Sequence, residues 1–240
     1  MDTSVLGLIF FWEMLGTMVL VAVGTSVNAG VSLKKTYNSN SGWLVIAFGW
    51  GMGIMLGASV ASYSGGAINP AIGLSKWISG EWSGMEFLVG SIGEFIGAAI
   101  GAFITIGLFW NHIKREQDGE KILGIFATKS SDEEKNVSNL ISSFAAEAFG
   151  TFLLAISLLL APAKIVSPIF AGLVVFGIGV TIGGLTGFAI NPARDLMPRL
   201  VYFITPTPNK VSANWGYAWI PATAPFVGAT IASLLVMISH

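Results

Sequence analysis

Gly65-Gly66-Ala67-Ile68-Asn69-Pro70-Ala71 and Gly187-Phe188-Ala189-Ile190-Asn191-Pro192-Ala193 are two copies of one pattern, a small-residue approach that ends in Asn-Pro-Ala. A proline after asparagine cannot continue a helix, yet it opens one well, because the N–H it lacks is an orphan at that position. The pattern therefore predicts two helix starts at equivalent places. The apolar runs that follow, 70–79 and 192–204, are too short to cross a bilayer, which takes roughly 20 residues of helix. Broken backbone survives at membrane depth only where protein or a water-filled cavity satisfies its polar groups. Two half-helices dipping in from opposite faces meet that condition.

The rest of the chain supplies the membrane context. Hydrophobic residues make up 53% of the 240 and charged residues 10%, with mean hydropathy +0.74; a soluble domain carries about 25% charged residues. Six segments are long and apolar enough to span: 5–26, 41–62, 86–110, 140–161, 167–186 and 215–238. Trp43, Trp82, Trp110, Trp215 and Trp219 fall near segment ends, where interfacial anchors belong. The stretch 111–139 reads as the one solvated, hydrophilic connection, with Lys114, Arg115, Glu116, Asp118, Glu120, Lys121, Lys129, Asp132, Glu133, Glu134 and Lys135. The N-terminus has no Lys or Arg before its first apolar run, which is too long for a signal core, so it reads as a first span. A net charge of −1 and the absence of a basic run give no basis for binding nucleic acid. Zero cysteines exclude disulfides and thiolate chemistry.

The chain repeats itself. Glu13-Met14-Leu15-Gly16-Thr17 matches Glu147-Ala148-Phe149-Gly150-Thr151, and Phe95-Ile96-Gly97-Ala98 matches Phe226-Val227-Gly228-Ala229. With the Asn-Pro-Ala pair, three landmarks recur in one order. The expected organisation is a first repeat over 1–110, the connection 111–139 and a second repeat over 140–240, forming one channel domain. Three spans per half invert the second half relative to the first, the pseudo-two-fold arrangement of membrane pathways. The expected fold is all-α: six transmembrane helices plus two re-entrant half-helices.

Several side chains need a reason to be where they are. Asn69 and Asn191 cap the half-helices, and if the two N-termini meet, both amides and both positive dipole ends face one point. Amide N–H groups there would orient a passing oxygen, and the potential would repel cations. Pro70 and Pro192 set the helix starts. Arg194 is a charge near membrane depth, where insertion costs at least about 2.5–3.5 kcal/mol, so a functional role is the default. Asp195 sits in a first turn, where the dipole favours an acid, and could pair with loop charges or hold the second loop. Glu13, Glu147 and Glu94 are acids within spans. No nucleophile or metal constellation accompanies them, so an enzyme is not expected, nor any metal or cofactor. Gly16, Gly97, Gly150 and Gly228 read as helix contacts, since small residues let membrane helices approach.

These residues resemble the aquaporin / major intrinsic protein family over essentially the whole chain: the doubled Asn-Pro-Ala, the Glu-x-x-Gly-Thr opening each half, and the six-span repeat. Asp195 after Asn191-Pro192-Ala193-Arg194, and the run Gly183 to Ile190, resemble the bacterial glycerol-facilitator branch. The resemblance implies that Arg194 is a constriction arginine, that Phe188 forms one wall, and that Gly179 stands where water-selective members carry His. The only histidines are His112 and His240. Trp50, in Trp50-Gly51-Met52-Gly53, resembles the facilitators' second-span aromatic, with Phe48 as the alternative. Glu13 and Glu147 would accept hydrogen bonds from the re-entrant loops. Ala67 departs from the family's usual His and Glu94 from its usual Gln.

The implied activity is passive diffusion of glycerol and other small uncharged solutes, with some water, through a homotetramer in the cell membrane, excluding ions and protons. Protonated lactic acid or other neutral acids, urea and polyols fit the same reading. A water-selective channel, an ion-coupled secondary transporter and a non-conducting junction protein are the alternatives. The family keeps both termini in the cytoplasm, although Lys34, Lys35 and Lys210 against Lys76 and Lys164 bias charge weakly the other way.

Overall fold

The structure is a computed structural model that describes residues 3–132, 136–162 and 164–239. Glu133, Glu134, Lys135 and His240 lie outside the described residues. Those described form helices and loops, without strands.

The first half holds α1 (Thr3–Ser32), α2 (Trp43–Val60), the half-helix α3 (Pro70–Ile78) and α4 (Gly84–Ile113). After a connecting helix α5 (Gly119–Phe126), the second half repeats the order with α6 (Val137–Leu160), α7 (Pro168–Thr181), the half-helix α8 (Pro192–Ile204) and α9 (Trp219–Ser239). Five of these helices are long and apolar enough to cross a membrane. The sixth apolar helix, α7, has 14 residues, about 21 Å at 1.5 Å per residue. The span read over 167–186 is shorter as a helix because Gly183–Leu185 tightens into a 3-10 turn and hands the chain to the loop before Asn191.

Packing repeats as the sequence does. α1 lies chiefly against α4 and α2, α6 against α9, and α2 against α7. A Cβ on Gly97 would strike the carbonyl oxygen of Met14, and one on Gly228 that of Ala148, so both crossings need bare backbone. Gly16 and Gly150 have a more particular job. Each faces the isoleucine that precedes an Asn-Pro-Ala, with the methyls of Ile68 and Ile190 at 2.9 and 2.8 Å from an added Cβ.

Two expectations change. The connection 111–139 is not uniformly solvated: in α5, Ile122, Ile125 and Phe126 are fully buried and Leu123 nearly so. Charges on the outer positions masked this amphipathic turn. Trp43 and Trp82 are also more than interfacial anchors. Trp82 is buried beneath Lys76, and the Trp43 indole donates to the Gly179 carbonyl at 2.8 Å.

Candidate functional site

Asn69 caps α3 and Asn191 caps α8, each with proline at the first helical position. The Oδ1 of Asn69 accepts the Ala71 amide at 3.0 Å; that of Asn191 accepts Ala193 at 3.0 Å and Arg194 at 3.2 Å. With both oxygens committed to the caps, both amide nitrogens turn outward. Asn69 Nδ2 donates to Ile190 O, and Asn191 Nδ2 donates to Ile68 O, each at 2.8 Å. The half-helices thus meet N-terminus to N-terminus. Each amide keeps a second N–H beyond the crossed bond.

Ile68 and Ile190 reach those bonds with φ of +43° and +42°. A β-branched residue avoids this region, and holding it there costs of order 1–3 kcal/mol. Glutamates supply the restraint. Glu13 accepts Ser64 Oγ at 2.6 Å and the amides of Ala67 at 3.1 Å and Ile68 at 2.6 Å. Glu147 repeats the set with Thr186 Oγ1 at 2.5 Å, Ala189 at 2.9 Å and Ile190 at 2.6 Å. Both carboxylates are fully buried. Hydrogen bonds to a charged group are worth about 1.5–3 kcal/mol each, enough to offset the strain.

Among the described residues, only the loop before Asn69 has a second acid on its amides. Glu94, fully buried, accepts the Asn69 amide at 2.8 Å. By the offset that relates Gly97 to Gly228, its counterpart in α9 is Pro225, which offers no side-chain acceptor.

The buried arginines, Arg194 and Arg199, both belong to the second half. Arg194 is 4% exposed. Its guanidinium carbon lies 3.7 Å from the centre of the Trp50 ring, and Nη2 donates to Gly187 O at 3.4 Å. Asp195 turns away and binds Arg199 one helical turn on, through Nε at 2.8 Å and Nη2 at 3.0 Å. Asp195 also accepts the Thr128 amide at 2.7 Å and hydroxyl at 2.6 Å. Arg199 continues to the carbonyls of Thr128, Ala213 and Asn214. This buried cluster ties α8 to the connection after α5, and that connection in turn bonds the chain before Asn191 through the Lys129 amide on Thr186 O at 3.2 Å and the Ser131 amide on Leu185 O at 2.9 Å.

Two cavities lie at opposite ends of α2 and of α7. One, of about 250 Å³, is lined by Trp43, Trp50, Phe188, Arg194, Thr128 and neighbours. The other, of about 310 Å³, is lined by Ala58, Ser62, Ile72, Lys76, Glu81, Leu158 and neighbours. Lys76 and Glu81 pair at 2.7 Å there.

Trp50, Phe188 and Arg194 come together at the first cavity, and Gly179 lies behind the Phe188 ring. An added Cβ on Gly179 would lie 3.0 Å from the Phe188 ring. The space that glycine leaves is therefore filled by Phe188, which also meets Trp43 edge to face at 5.6 Å between centroids. Phe48 is separated from this group. It is 54% exposed and packs edge to face on Phe176, because residues two apart on a helix do not share a face. Ala67 is buried, with its amide on Glu13.

Sequence reasoning missed Arg199, Thr128, Ser64, Thr186 and Asn28. The i, i+4 spacing of Asp195 and Arg199 was a readable signal. The hydroxyl before each loop, Ser64 and Thr186, repeats with the offset of the Asn pair. Asn28 carried no signal, since it lies just past the span read over 5–26 and only the longer α1 takes it in.

The model of the family described as major intrinsic protein matches residues 8–236. The chain belongs to the major intrinsic protein family. Among curated members of that family it is similar to the glycerol uptake facilitator protein of Bacillus subtilis, 38% identical over 226 residues, covering 92% of this chain and 81% of the relative. It is similar also to glycerol uptake facilitator protein 2 of Lactiplantibacillus plantarum, 39% identical with 93% and 96% covered. The X-ray structure of the aquaglyceroporin from Plasmodium falciparum shares the fold, with TM-score 0.82 at 24% identity over 97% of this chain and 99% of that one. The family's architecture of six apolar helices and two half-helices is the architecture here.

Proposed function

We propose that the protein is a passive channel for glycerol and other small uncharged solutes, with some water. The observation that carries this reading is the lining of the first cavity. Aromatic faces of Phe188, Trp43 and Trp50 stand beside the Arg194 guanidinium. A polyol has CH groups on one side and hydroxyls on the other, and this pairing of apolar ring with fixed donor matches both. Beyond it, the spare N–H groups of Asn69 and Asn191 donate to permeant oxygens, while two helix N-termini and Arg194 repel cations.

The other classes are less well supported. A secondary transporter needs a carboxylate or ion site open to the pathway, but Glu13, Glu94 and Glu147 are buried and bonded to loop amides. A water-selective filter needs a donor in place of Gly179, where the Phe188 ring now lies. The assembly we propose is a homotetramer in the cell membrane with a pore in each subunit and both termini in the cytoplasm. On that orientation the Arg194 cavity faces outward and the Lys76 cavity inward.

Stopped-flow light scattering on proteoliposomes tests the reading with water, glycerol, urea and, at acid pH, lactic acid. Glycerol entering far faster than into empty liposomes, without an ion gradient, is expected. Glycerol flux equal to that of empty liposomes overturns the proposal; flux that saturates and follows a sodium or proton gradient favours a transporter. Lactic acid outrunning glycerol reassigns the main solute.

A further inference from the structure

Trp50 is held by a seat on α1. The indole is 2% exposed, and its N–H donates to Asn28 Oδ1 at 3.0 Å. One turn earlier on α1, Gly24 meets the six-membered part of the ring so closely that any Cβ there would overlap it. The Arg194 guanidinium lies over the same ring.

Asn28 is otherwise fully occupied. Its Nδ2 donates to the carbonyls of Gly124 at 3.3 Å and Ile125 at 3.2 Å, in the last turn of α5, where helix carbonyls lack partners. The orientation of the amide is fixed by chemistry: an indole N–H only donates and a carbonyl only accepts. One side chain therefore connects the ring beneath Arg194 to the connecting helix over the cavity. Aspartate is isosteric but would set a carboxylate against two carbonyls. Leucine would leave a buried indole N–H without a partner.

From these contacts we infer that Asn28 is a positioning residue for solute selectivity: through the Trp50 indole N–H it fixes the plane on which Arg194 rests, and so the width of the opening. This inference rests on the channel reading above and adds to it a residue that touches no solute.

The test is the ratio of ribitol to glycerol permeability in one batch of proteoliposomes, a ratio independent of how much protein is active. Asn28→Leu should raise it by about three- to tenfold, the effect expected from releasing one buried hydrogen-bonded group. Gly24→Ala, which displaces the ring without touching α5, should raise it as well. In a Trp50→Phe background the indole N–H is already gone, so adding Asn28→Leu should change the ratio no further. An equal rise from Asn28→Leu in both backgrounds assigns Asn28 to anchoring α5 and overturns the inference. Unchanged ratios in Asn28→Leu and Gly24→Ala overturn it too. Normal glycerol flux with those results leaves the channel reading standing, whereas no glycerol flux in the unaltered protein removes both.

Discussion

The loop before Asn69 and the loop before Asn191 are built alike and equipped differently. Both place an isoleucine in the left-handed region, both tether it with a buried glutamate and a hydroxyl, and both give one amide N–H to the opposite loop. The differences lie just outside that frame. The first loop gains an additional acid, Glu94, on the Asn69 amide. The second gains Phe188 and Arg194 at a cavity and the Asp195–Arg199 pair behind them. What is symmetric builds the midpoint; what is asymmetric gives the two ends separate tasks.

The largest test of that division is Arg199→Ala. It leaves Asp195 buried and unpaired, and removing one member of a buried pair costs about 3–5 kcal/mol. Thermal unfolding in detergent should show the second half destabilised strongly; a negligible shift would mean that Thr128 alone holds Asp195. Next come Glu13→Gln and Glu147→Gln, which put an NH₂ against a loop amide and remove the charge. Each should cost about 1.5–3 kcal/mol by the same measurement. Unequal losses would show that the loops are less alike than their bonds.

Arg194→Ala and Phe188→Ala act on selectivity rather than stability. Either should raise permeation of five-carbon polyols relative to glycerol by about tenfold, a barrier change of about 1.4 kcal/mol. Unchanged selectivity in both would place the constriction elsewhere. The smallest effect belongs to Glu94→Gln. A Gln oxygen still accepts the Asn69 amide, and the new NH₂ gives the neighbouring carboxylate of Glu13 a donor. Stability should move by less than about 1 kcal/mol, with glycerol flux kept. A large loss would make Glu94 a second tether and deepen the asymmetry.

Much of this frame was legible in the sequence. The half-helices at 70–79 and 192–204 became α3 and α8 almost residue for residue, because Asn-Pro sets a helix start by covalent geometry. Glu13 and Glu147 announced themselves as acids in apolar spans. Other features were hidden. Ile122, Ile125 and Phe126 lay among charges, and only packing revealed α5 as buried. Phe48 and Trp50 are both aromatic on one helix, and composition does not say which face turns inward. The resemblance put Gly179 where water-selective members carry His, yet the space beside it belongs to a ring nine residues further along the chain.

By itself the sequence determined a membrane protein of two inverted halves meeting at two capped helix starts. Its signals are local: proline geometry, apolar length and a repeat that an odd number of spans inverts. Tertiary structure alone decided that Trp50 rather than Phe48 lies under Arg194 and that Asn28 holds the ring there. Asn28, Trp50, Gly179 and Phe188 come from α1, α2, α7 and the loop before α8 in turn, and their neighbourhood depends on helix rotation and close approach. Those are properties of packed surfaces, and no window of sequence contains them.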